Sequence, residues 1–235
     1  MNTKVKQKID MDSVEDSKYS GLGPKKTANF YFSVTRVLDV SISFLALIVF
    51  SPIIIVTCIA IFLEDGQNPI FIDKRLGKDK RIFNFYKFRS MIVNASNLEM
   101  ENKELYSRLR SGEHKMKDHP YVTKVGKFIR KYSIDEMLQF INVLKGDMSV
   151  VGPRALKIDE EKKFRAENPN LARYLDTLFE VRPGITGMWQ VSGRSKIDFK
   201  KRIQMEALYA RTYSLFSNIL IMLKTPIAVL KAETH

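Results

Sequence analysis

Hydrophobic and polar positions divide this chain into one long uncharged segment and a remainder in which both kinds are mixed. Residues 40–63 contain no Asp, Glu, Lys or Arg over 24 positions. As a straight helix they would extend about 36 Å, compared with about 30 Å for the hydrocarbon of a bilayer. The segment is too long, and starts too late, for a cleaved signal peptide. A buried helix of a soluble protein rarely has such an uncharged run, so the pattern predicts a membrane-embedded helix.

Two features bear on whether this segment crosses the bilayer. Ser51 and Pro52 lie at its middle, where proline removes a backbone donor and favours a kink. Basic residues lie on both of its flanks, namely Lys25, Lys26 and Arg36 before it and Lys74, Arg75, Lys78, Lys80 and Arg81 after it. Because Lys and Arg favour the cytoplasmic side, this distribution fits a re-entrant hairpin. On these residues alone, a plain span and a re-entrant hairpin both remain open.

The remaining pattern predicts a small, helix-rich α/β domain. Residues 1–26 are polar and predict a mobile tail, whereas residues 27–39 predict an interfacial helix, so the membrane part is 27–64 and the globular domain 65–235. Within that domain the pattern predicts strands at 69–73, 82–88 and 148–151. It predicts helices at 92–111, 122–131, 133–145, 157–180 and 198–212, of which the fourth is interrupted near Pro169. It also predicts a turn-rich loop at 182–187 and an amphipathic interfacial helix at 215–230.

Two adjacent carboxylates, Asp135 and Glu136, lie at the predicted start of one of these helices. Ser133 followed by Glu136 fits a capping box, and Asp135 would complement the helix dipole, so a purely structural role is open for both acids. The same helix N-terminus would also keep Asp135 ionised as a nucleophile or metal ligand. Arg130 and Arg154 bracket the pair, and arginines bind phosphate oxygens. The stretch therefore indicates phosphoryl chemistry.

Composition narrows the class of partner. The 235 residues carry a net charge of +13 and a pI near 9.7, which implies nucleic acid, an anionic lipid surface or a phosphorylated substrate. A single cysteine, Cys58, excludes an internal disulfide framework. The three histidines match no zinc motif. An anionic partner is thus the expectation, and a histidine metal site is not.

Most basic residues are explained by a solvated face that is attracted to anionic headgroups. Lys87, Arg89, Arg130 and Arg154 are exceptions, because they lie within apolar or turn-forming motifs. Arg182 and Arg194 bracket a glycine-rich loop that contains Trp189. Glycines permit close backbone approach to a ligand, and Trp189 either stacks a base or sugar or belongs to the core. These basic residues are the candidates for phosphate binding.

Taken together, these motifs resemble the bacterial sugar transferase family, the small monotopic phosphoglycosyl transferases that act on polyprenyl phosphate. The resemblance covers residues 35–231. It is carried by Ser51-Pro52, Tyr86-Lys-Phe-Arg-Ser-Met91, Ser133-Ile-Asp-Glu136, Asn142-Val-Leu-Lys-Gly-Asp-Met-Ser149, Val151-Gly-Pro-Arg154 and Arg182-Pro-Gly-Ile-Thr-Gly-Met-Trp-Gln-Val-Ser-Gly-Arg194.

The resemblance implies a catalytic domain on a re-entrant membrane helix that is kinked at Ser51-Pro52. It also implies two chemical steps, in which Asp135 attacks the sugar-linked phosphate of a UDP-sugar, expels UMP and passes the phosphosugar to undecaprenyl phosphate. Glu136 completes the catalytic pair, and Asp135 and Glu136 are the expected ligands of Mg²⁺, which neutralises phosphate charge. The expected location is the cytoplasmic face of the bacterial inner membrane.

Substrate-binding residues follow from the same resemblance. Its phosphate-binding positions are Arg130 and Arg154, its basic strand motif supplies Lys87 and Arg89, and its glycine-rich loop supplies Arg182, Gln190 and Arg194. The chain departs from the family at Ala155, Glu206 and Asn218, where a proline and two aspartates are usual. The Trp-Gln-Val-Ser-Gly-Arg form favours a hexose, galactose or glucose, as the sugar.

The expected function is initiation of exopolysaccharide, capsule or O-antigen assembly, with the lipid bilayer, a homo-oligomer and downstream glycosyltransferases as further partners. A competing hypothesis is a catalytically silent, basic membrane adaptor of the polysaccharide machinery. A nucleic-acid binder is suggested by charge alone, and both the absence of a recognisable module and the uncharged segment argue against it.

Overall fold

The computed structural model describes residues 28–102, 105, 119–193 and 197–231. Nine helices and five strands within these ranges are, in chain order, α1 (Ala28–Asp65), β1 (Ile70–Leu76), β2 (Ile82–Phe88), α2 (Ala95–Glu101), α3 (Lys124–Lys131), α4 (Gln139–Lys145), β3 (Ser149–Val151), β4 (Leu156–Lys157), α5 (Ile158–Glu167), α6 (Ala172–Leu178), β5 (Gly184–Thr186), α7 (Met188–Ser192), α8 (Phe199–Thr212) and α9 (Leu215–Lys231). Helix predominates, which confirms the helix-rich α/β prediction. The predicted tail, 1–26, lies outside the described residues.

Helix α1 is a single element of 38 residues, so the predicted interfacial and membrane helices merge into one. Among the described residues, only its segment Ser33–Asp65 is a helix long and apolar enough to cross a membrane. The helix continues through Pro52, which has no N–H to donate to the carbonyl of Ile48 four residues earlier. The Ser51 hydroxyl donates to that carbonyl instead, at 2.8 Å. The Ser51-Pro52 pair therefore interrupts the backbone ladder without leaving its acceptor unpaired.

Near its N-terminal end, α1 is docked onto the domain by two charged side chains. Arg36 donates to the carbonyls of Val143 and Leu144 at 2.6 and 3.0 Å, where α4 ends. Asp39 accepts from the Ser149 hydroxyl at 2.6 Å and from the Val150 N–H at 2.9 Å, at the start of β3. Both side chains thus bind backbone groups of the domain, and Asp39 also binds a hydroxyl.

The C-terminal end of α1 is docked onto the same domain. The Glu64 carboxylate accepts from the N–H of Lys124 at 2.7 Å and from that of Val125 at 3.3 Å, at the first turn of α3. Asp65 accepts two hydrogen bonds from the Arg89 guanidinium, at 2.5 and 2.6 Å. Both ends of α1 thus contact one folded unit.

Two small sheets form the scaffold of the domain. Strand β1 pairs antiparallel with β2 from Ile70↔Phe88 to Leu76↔Ile82, and β4 adds to the other edge of β1. Strands β3 and β5 form a separate parallel pair, with Ser149↔Gly184 and Val151↔Thr186 in register. The pair includes part of the predicted 182–187 loop, so that prediction was wrong for 184–186. The pairing joins residues that are 35 positions apart in sequence.

Three groups of buried side chains hold these elements together. One lies among β1, β4, α5, α6 and α8, and contains Leu76, Leu156, Phe164, Leu175, Leu178, Phe179, Ile203 and Ala207. A second surrounds β3, with Phe83, Val143, Met148, Val150, Val151, Ala155, Tyr209 and Ile221. The third joins α1 to β2, α3 and the segment before α4, through Ile61, Phe88, Ile129 and Leu138. The third core lies directly beneath the predicted catalytic acids.

The predicted capping box at Ser133 was wrong. Ser133 has left-handed backbone angles (φ 57°, ψ 24°) and its side chain caps nothing. Residues Ile134–Glu136 form one 3₁₀ turn, and α4 begins only at Gln139. The prediction of Gly146 as the C-terminal cap is confirmed, because Gly146 is left-handed (φ 90°). The acids therefore lie on a short turn rather than in the first turn of a long helix.

Candidate active site

The turn that carries Asp135 and Glu136 is fixed from below. Ile134 packs against the third core, and Leu138 belongs to it, beside Ile61 of α1. Helix α3 and strand β2 both contact the turn. Asp135 is half-buried and Glu136 exposed. The apolar neighbours of the turn thus hold the two acids at the surface, next to the membrane helix.

Lys87, on β2, lies close to Asp135. Burial lowers the pKa of Lys87, and the nearby Arg75 adds to this, whereas Asp135 and Asp73 act in the opposite direction. The Lys87 ammonium also lies 5.0 Å from the ring centre of Phe71, its cross-strand partner. A half-buried cation therefore stands beside the predicted nucleophile, where it would stabilise an anionic ligand.

Arg75 extends this positive region along β1. Its guanidinium donates to Asp73 at 2.9 Å and to the Ala155 carbonyl at 3.0 Å, and it lies 3.9 Å from Glu160. Burial lowers the pKa of Arg75, and repulsion from Arg154 lowers it further. Ala155, where the family usually has proline, thus contributes a backbone acceptor that proline would also provide.

Arg154 is presented by two loops whose backbones are in direct contact. A Cβ on Gly184 would lie 2.0 Å from the Gly152 nitrogen, so only glycine permits this approach of β5 to the Gly152-Pro153 turn. The Arg154 N–H donates to Glu206 at 3.0 Å. Its guanidinium lies 4.0 Å from Glu160 and 6.0 Å from the Trp189 ring centre. The side chain is half-buried and its main chain is held on both sides.

Behind Arg154 lies a buried pair on α8, Arg202 and Glu206. The two side chains are 6% and 1% exposed, and Arg202 Nε lies 3.7 Å from Glu206 Oε1. Burial lowers the pKa of Arg202 to about 10 and raises the pKa of Glu206. The Arg202 guanidinium lies 4.1 Å from the centre of the Trp189 ring. Trp189 therefore stacks on an arginine of its own chain, and its stacking on a base or sugar stays a prediction.

The structure brings some of the predicted site residues together and separates others. Arg130 lies on α3, which packs against the acid turn, and its charge acts on the nearby His119. Arg89 is bound to Asp65 and donates to the Asn68 carbonyl at 2.8 Å, which makes it an anchor of α1. Arg182 donates to the Gly146 carbonyl at 3.0 Å and lines a small cavity with Asp39, on the α1 side of β3.

Gln190 and Arg194 belong to the loop at Trp189. Gln190 Oε1 is buried and has no hydrogen-bond partner within the described ranges, which end at Gly193 and resume at Ile197. Arg194 lies outside the described residues. The substrate roles of both remain predictions.

Three residues that surround Arg154 were not predicted as site residues: Arg75, Glu160 and Arg202. Glu206 was noted only as a departure. A sequence signal exists for the last pair, because Arg202 and Glu206 are four residues apart on the helix face that carries Ile203, Ala207 and Ala210. An acid and a base at that spacing among apolar positions indicate a buried ion pair. No comparable periodicity marks Arg75, whose burial depends on β4 and α5.

The carboxylates of Asp135 and Glu136 could supply some, but not all, of the ligands of a magnesium ion. No group of three or more His, Cys, Asp or Glu suited to a metal occurs among the residues for which the structure gives positions. Magnesium is usually held by one or two carboxylates, with water and substrate phosphates as the other ligands. Asp135 and the exposed Glu136 match that minimal set.

The fold and the cluster have counterparts in known proteins. A family model described as bacterial sugar transferase matches residues 30–232, and this chain belongs to that family.

Its relatives include the galactosyl transferase CpsE of Streptococcus agalactiae, which is 42% identical over 71% of this chain and 37% of its own length. The undecaprenyl-phosphate galactose phosphotransferase of Salmonella typhimurium is 35% identical over 89% of this chain and 42% of its own length. The exopolysaccharide production protein ExoY of Sinorhizobium fredii is 33% identical over 83% of this chain and 84% of its own length. The chain thus spans about two fifths of the first two relatives and most of the third.

Proposed function

We propose that this protein transfers a sugar 1-phosphate from a UDP-sugar to undecaprenyl phosphate. The observation that carries the proposal is the position of Asp135, a carboxylate on a turn that packs against the third core beside α1. Asp135 lies near Lys87, which in turn lies near Arg75, and Arg75 lies near Arg154. The family and the names of the Salmonella and Streptococcus relatives support the reaction class and favour galactose, with glucose as the second hexose. ExoY supports a place in exopolysaccharide assembly.

In the first step, an Asp135 oxygen attacks the phosphorus that bears the sugar. The bond from that phosphorus to the bridging oxygen breaks, UMP leaves, and an acyl phosphate links Asp135 to the sugar. Lys87 and Arg154 offset the negative charge that develops on the phosphate oxygens. Glu136 completes the pair, and Mg²⁺ bound by Asp135 and Glu136 would supply further neutralising charge.

In the second step, an oxygen of undecaprenyl phosphate attacks the same phosphorus. The bond to Asp135 breaks, the carboxylate is restored, and the product is a sugar linked to the lipid by a diphosphate. The surface beside Asp135, Lys87 and Arg154 is called the cleft below. Dividing the transfer into two displacements means that the two anionic substrates need not occupy this cleft at the same time. The cationic cluster serves both steps.

The contacts of α1 support a helix that enters the membrane and does not cross it. Arg36 and Asp39 bind the domain near one end, and Glu64 and Asp65 bind it at the other. One folded domain cannot lie on both sides of a bilayer, so a crossing helix would lose one set of contacts. The face of α1 away from the domain is apolar and exposed at Phe44, Leu45, Ile48, Val49, Ile55, Val56, Ile59, Phe62 and Leu63.

Helix α9 supplies a second exposed apolar surface that fits an interfacial position. Its exposed residues are Phe216, Ile219, Leu220, Leu223, Ile227 and Leu230. With the net charge of +13, these surfaces support attachment to an anionic bilayer. The proposed location is the cytoplasmic face of the bacterial inner membrane. Self-association and contact with downstream glycosyltransferases remain part of the proposal.

The test is a panel of UDP-sugars incubated with the membrane-bound protein, Mg²⁺ and undecaprenyl phosphate. The expected result is UMP release that depends on the lipid and is greatest with UDP-galactose or UDP-glucose. UDP-N-acetylgalactosamine and UDP-N-acetylglucosamine are the competitors. No UMP release from any donor, by protein that still binds membranes, would favour the silent adaptor.

A further inference from the structure

The buried pair on α8 contacts the main chain of the predicted phosphate-binding arginine. Glu206 Oε1 accepts the Arg154 N–H at 3.0 Å, which is hydrogen-bonding distance, whereas Arg202 lies 3.7 Å from the same oxygen. We propose that Glu206 is a positioning residue, which holds the Arg154 main chain so that its guanidinium faces the cleft, and that Arg202 keeps the Glu206 carboxylate in place. This inference rests on the proposed function for the role of Arg154.

The geometry around Arg154 explains why a positioning residue is needed. Pro153 precedes it and fixes one backbone angle, and the Gly152–Gly184 contact fixes the turn. Beyond Arg154 the chain enters β4 after one residue, where Leu156 pairs with Leu76. The Arg154 N–H lies between these two fixed points. An acceptor at that N–H sets the direction in which the side chain leaves the backbone.

The burial of Glu206 argues for a specific role. A carboxylate that is 1% exposed is costly unless it is paired. Arg202 supplies the opposing charge and is itself held by stacking on Trp189 at 4.1 Å. Glu206 Oε2 has no hydrogen-bond partner within the described residues, whereas Oε1 accepts the hydrogen bond that the Arg154 N–H donates. The arrangement fixes one backbone position, the N–H of Arg154.

The contact also requires a side chain of a given length. Glu206 Oε1 lies 3.0 Å from the Arg154 nitrogen, an ordinary hydrogen-bond distance. Aspartate is one methylene shorter, so we expect Glu206→Asp to break this hydrogen bond without removing the charge.

The experiment compares two double variants that both lack the buried charges. Arg202→Met with Glu206→Gln keeps an acceptor oxygen of the same length, whereas Arg202→Met with Glu206→Leu has none. Removing both charges avoids an unpaired buried ion, so both proteins should fold. We expect the donor KM of the Leu variant to be about tenfold higher than that of the Gln variant. This is the effect of losing one hydrogen bond, the one that holds the Arg154 main chain.

A second readout is independent of catalysis. Hydrogen exchange of the Arg154 amide should be about tenfold faster in the Leu variant than in the Gln variant, because that amide loses its acceptor. The matched control replaces Glu161 and Arg165, an i,i+4 pair at 2.7 Å on α5, by Leu and Met. The control should alter neither the donor KM nor Arg154 exchange.

Equal donor KM and equal Arg154 exchange in the Gln and Leu variants would overturn the inference. Slower turnover in both variants with the same KM would assign the pair to stability alone. Failure of the proposed function would be seen separately, as wild-type protein that releases no UMP. In that case the exchange comparison still tests the contact.

Discussion

The charges that hold α1 and the charges that surround Asp135 are of the same kinds but are paired differently. At α1, Arg36, Glu64 and Asp65 each form hydrogen bonds of 2.5 to 3.3 Å. Their partners are backbone carbonyls, backbone N–H groups and the Arg89 guanidinium. Near Asp135, Arg75 and Arg154 share Glu160 at 3.9 and 4.0 Å and repel each other, and Arg75 also binds Asp73 at 2.9 Å. The contacts of α1 are therefore hydrogen bonds, whereas the contact of Arg154 with Glu160 is a long ion pair.

This difference distinguishes structural from functional arginines. Arg89 and Arg182 were predicted to bind substrate, yet both donate at 3.0 Å or less to acceptors within the fold. Arg154 has a long ion pair, with Glu160 at 4.0 Å. Burial lowers the pKa of Lys87, and the charge of the nearby Arg75 lowers it further. Lys87 and Arg154 therefore remain the candidates for phosphate binding, as the proposed function has them.

The largest expected effect is a loss of activity at the cleft without a loss of membrane association through α1. Asp135→Asn removes the nucleophile and should lower UMP release by about three orders of magnitude or more. Membrane association should persist, since Asp135 contributes nothing to the contacts of α1 described above. The measurement is UMP release beside the fraction of protein in washed membranes. Turnover at the wild-type rate would assign the nucleophile to another residue.

The next effect concerns a cation of the cleft. Arg154→Met keeps much of the apolar stem and the backbone contact with Glu206 but removes the guanidinium. The donor KM should rise about tenfold to a hundredfold, because a charge-assisted contact with phosphate is lost. Steady-state kinetics with UDP-galactose measure this. An unchanged KM would show that the pairing of Arg154 with Glu160 is structural.

Arg89→Met is the corresponding change at the anchor. It removes a bidentate contact with Asp65 and a hydrogen bond to Asn68, with the Arg89 side chain 9% exposed and that of Asp65 28% exposed. The free energy of unfolding should fall by about 2 kcal/mol, equivalent to a thermal midpoint about 4–8 °C lower. The donor KM of the folded protein should hold. A raised KM with unchanged stability would return Arg89 to the substrate site.

The smallest effect is a pH dependence at the edge of the cleft. Burial tends to raise the pKa of Glu160, but Arg154, the Lys157 N–H and Arg75 together lower it below its ordinary value. Ionised Glu160 therefore stabilises the fold above the unfolded-state pKa of about 4.3, and this contribution is lost as pH falls through the lower folded-state pKa. Glu160→Gln should cost up to about 1 kcal/mol at pH 7. The cost should vanish in unfolding measured near pH 3, and a cost independent of pH would indicate lost packing.

Sequence reasoning recovered what depends on local pattern. Strands β1 and β2, helices α3 and α8, the interruption near Pro169 and the cap at Gly146 follow from periodicity and turn residues. It failed at Ser133, where packing of Ile134 and Leu138 into the third core overrides the capping pattern. It also failed to separate Arg89 from Arg154, because only the three-dimensional position of Asp65 reveals that Arg89 is already paired.

The candidate site shows the same limit. Asp135, Lys87 and Arg154 were predicted from motifs, whereas Arg75 and Arg202 became candidates only through the contacts of β1 with β4 and of α7 with α8. Glycine positions suggested close backbone approach, but not that Gly152 and Gly184 approach each other. Long-range contacts of this kind have no signature in a single sequence.

The most direct test of the account is the covalent state of Asp135 during turnover. Protein mixed with UDP-galactose and quenched within milliseconds should yield an Asp135 peptide heavier by one hexose phosphate. The added mass should disappear when undecaprenyl phosphate is supplied and should be absent from Asp135→Asn. Lipid-linked product that forms at the normal rate while no adduct appears on the protein would contradict the two-step mechanism.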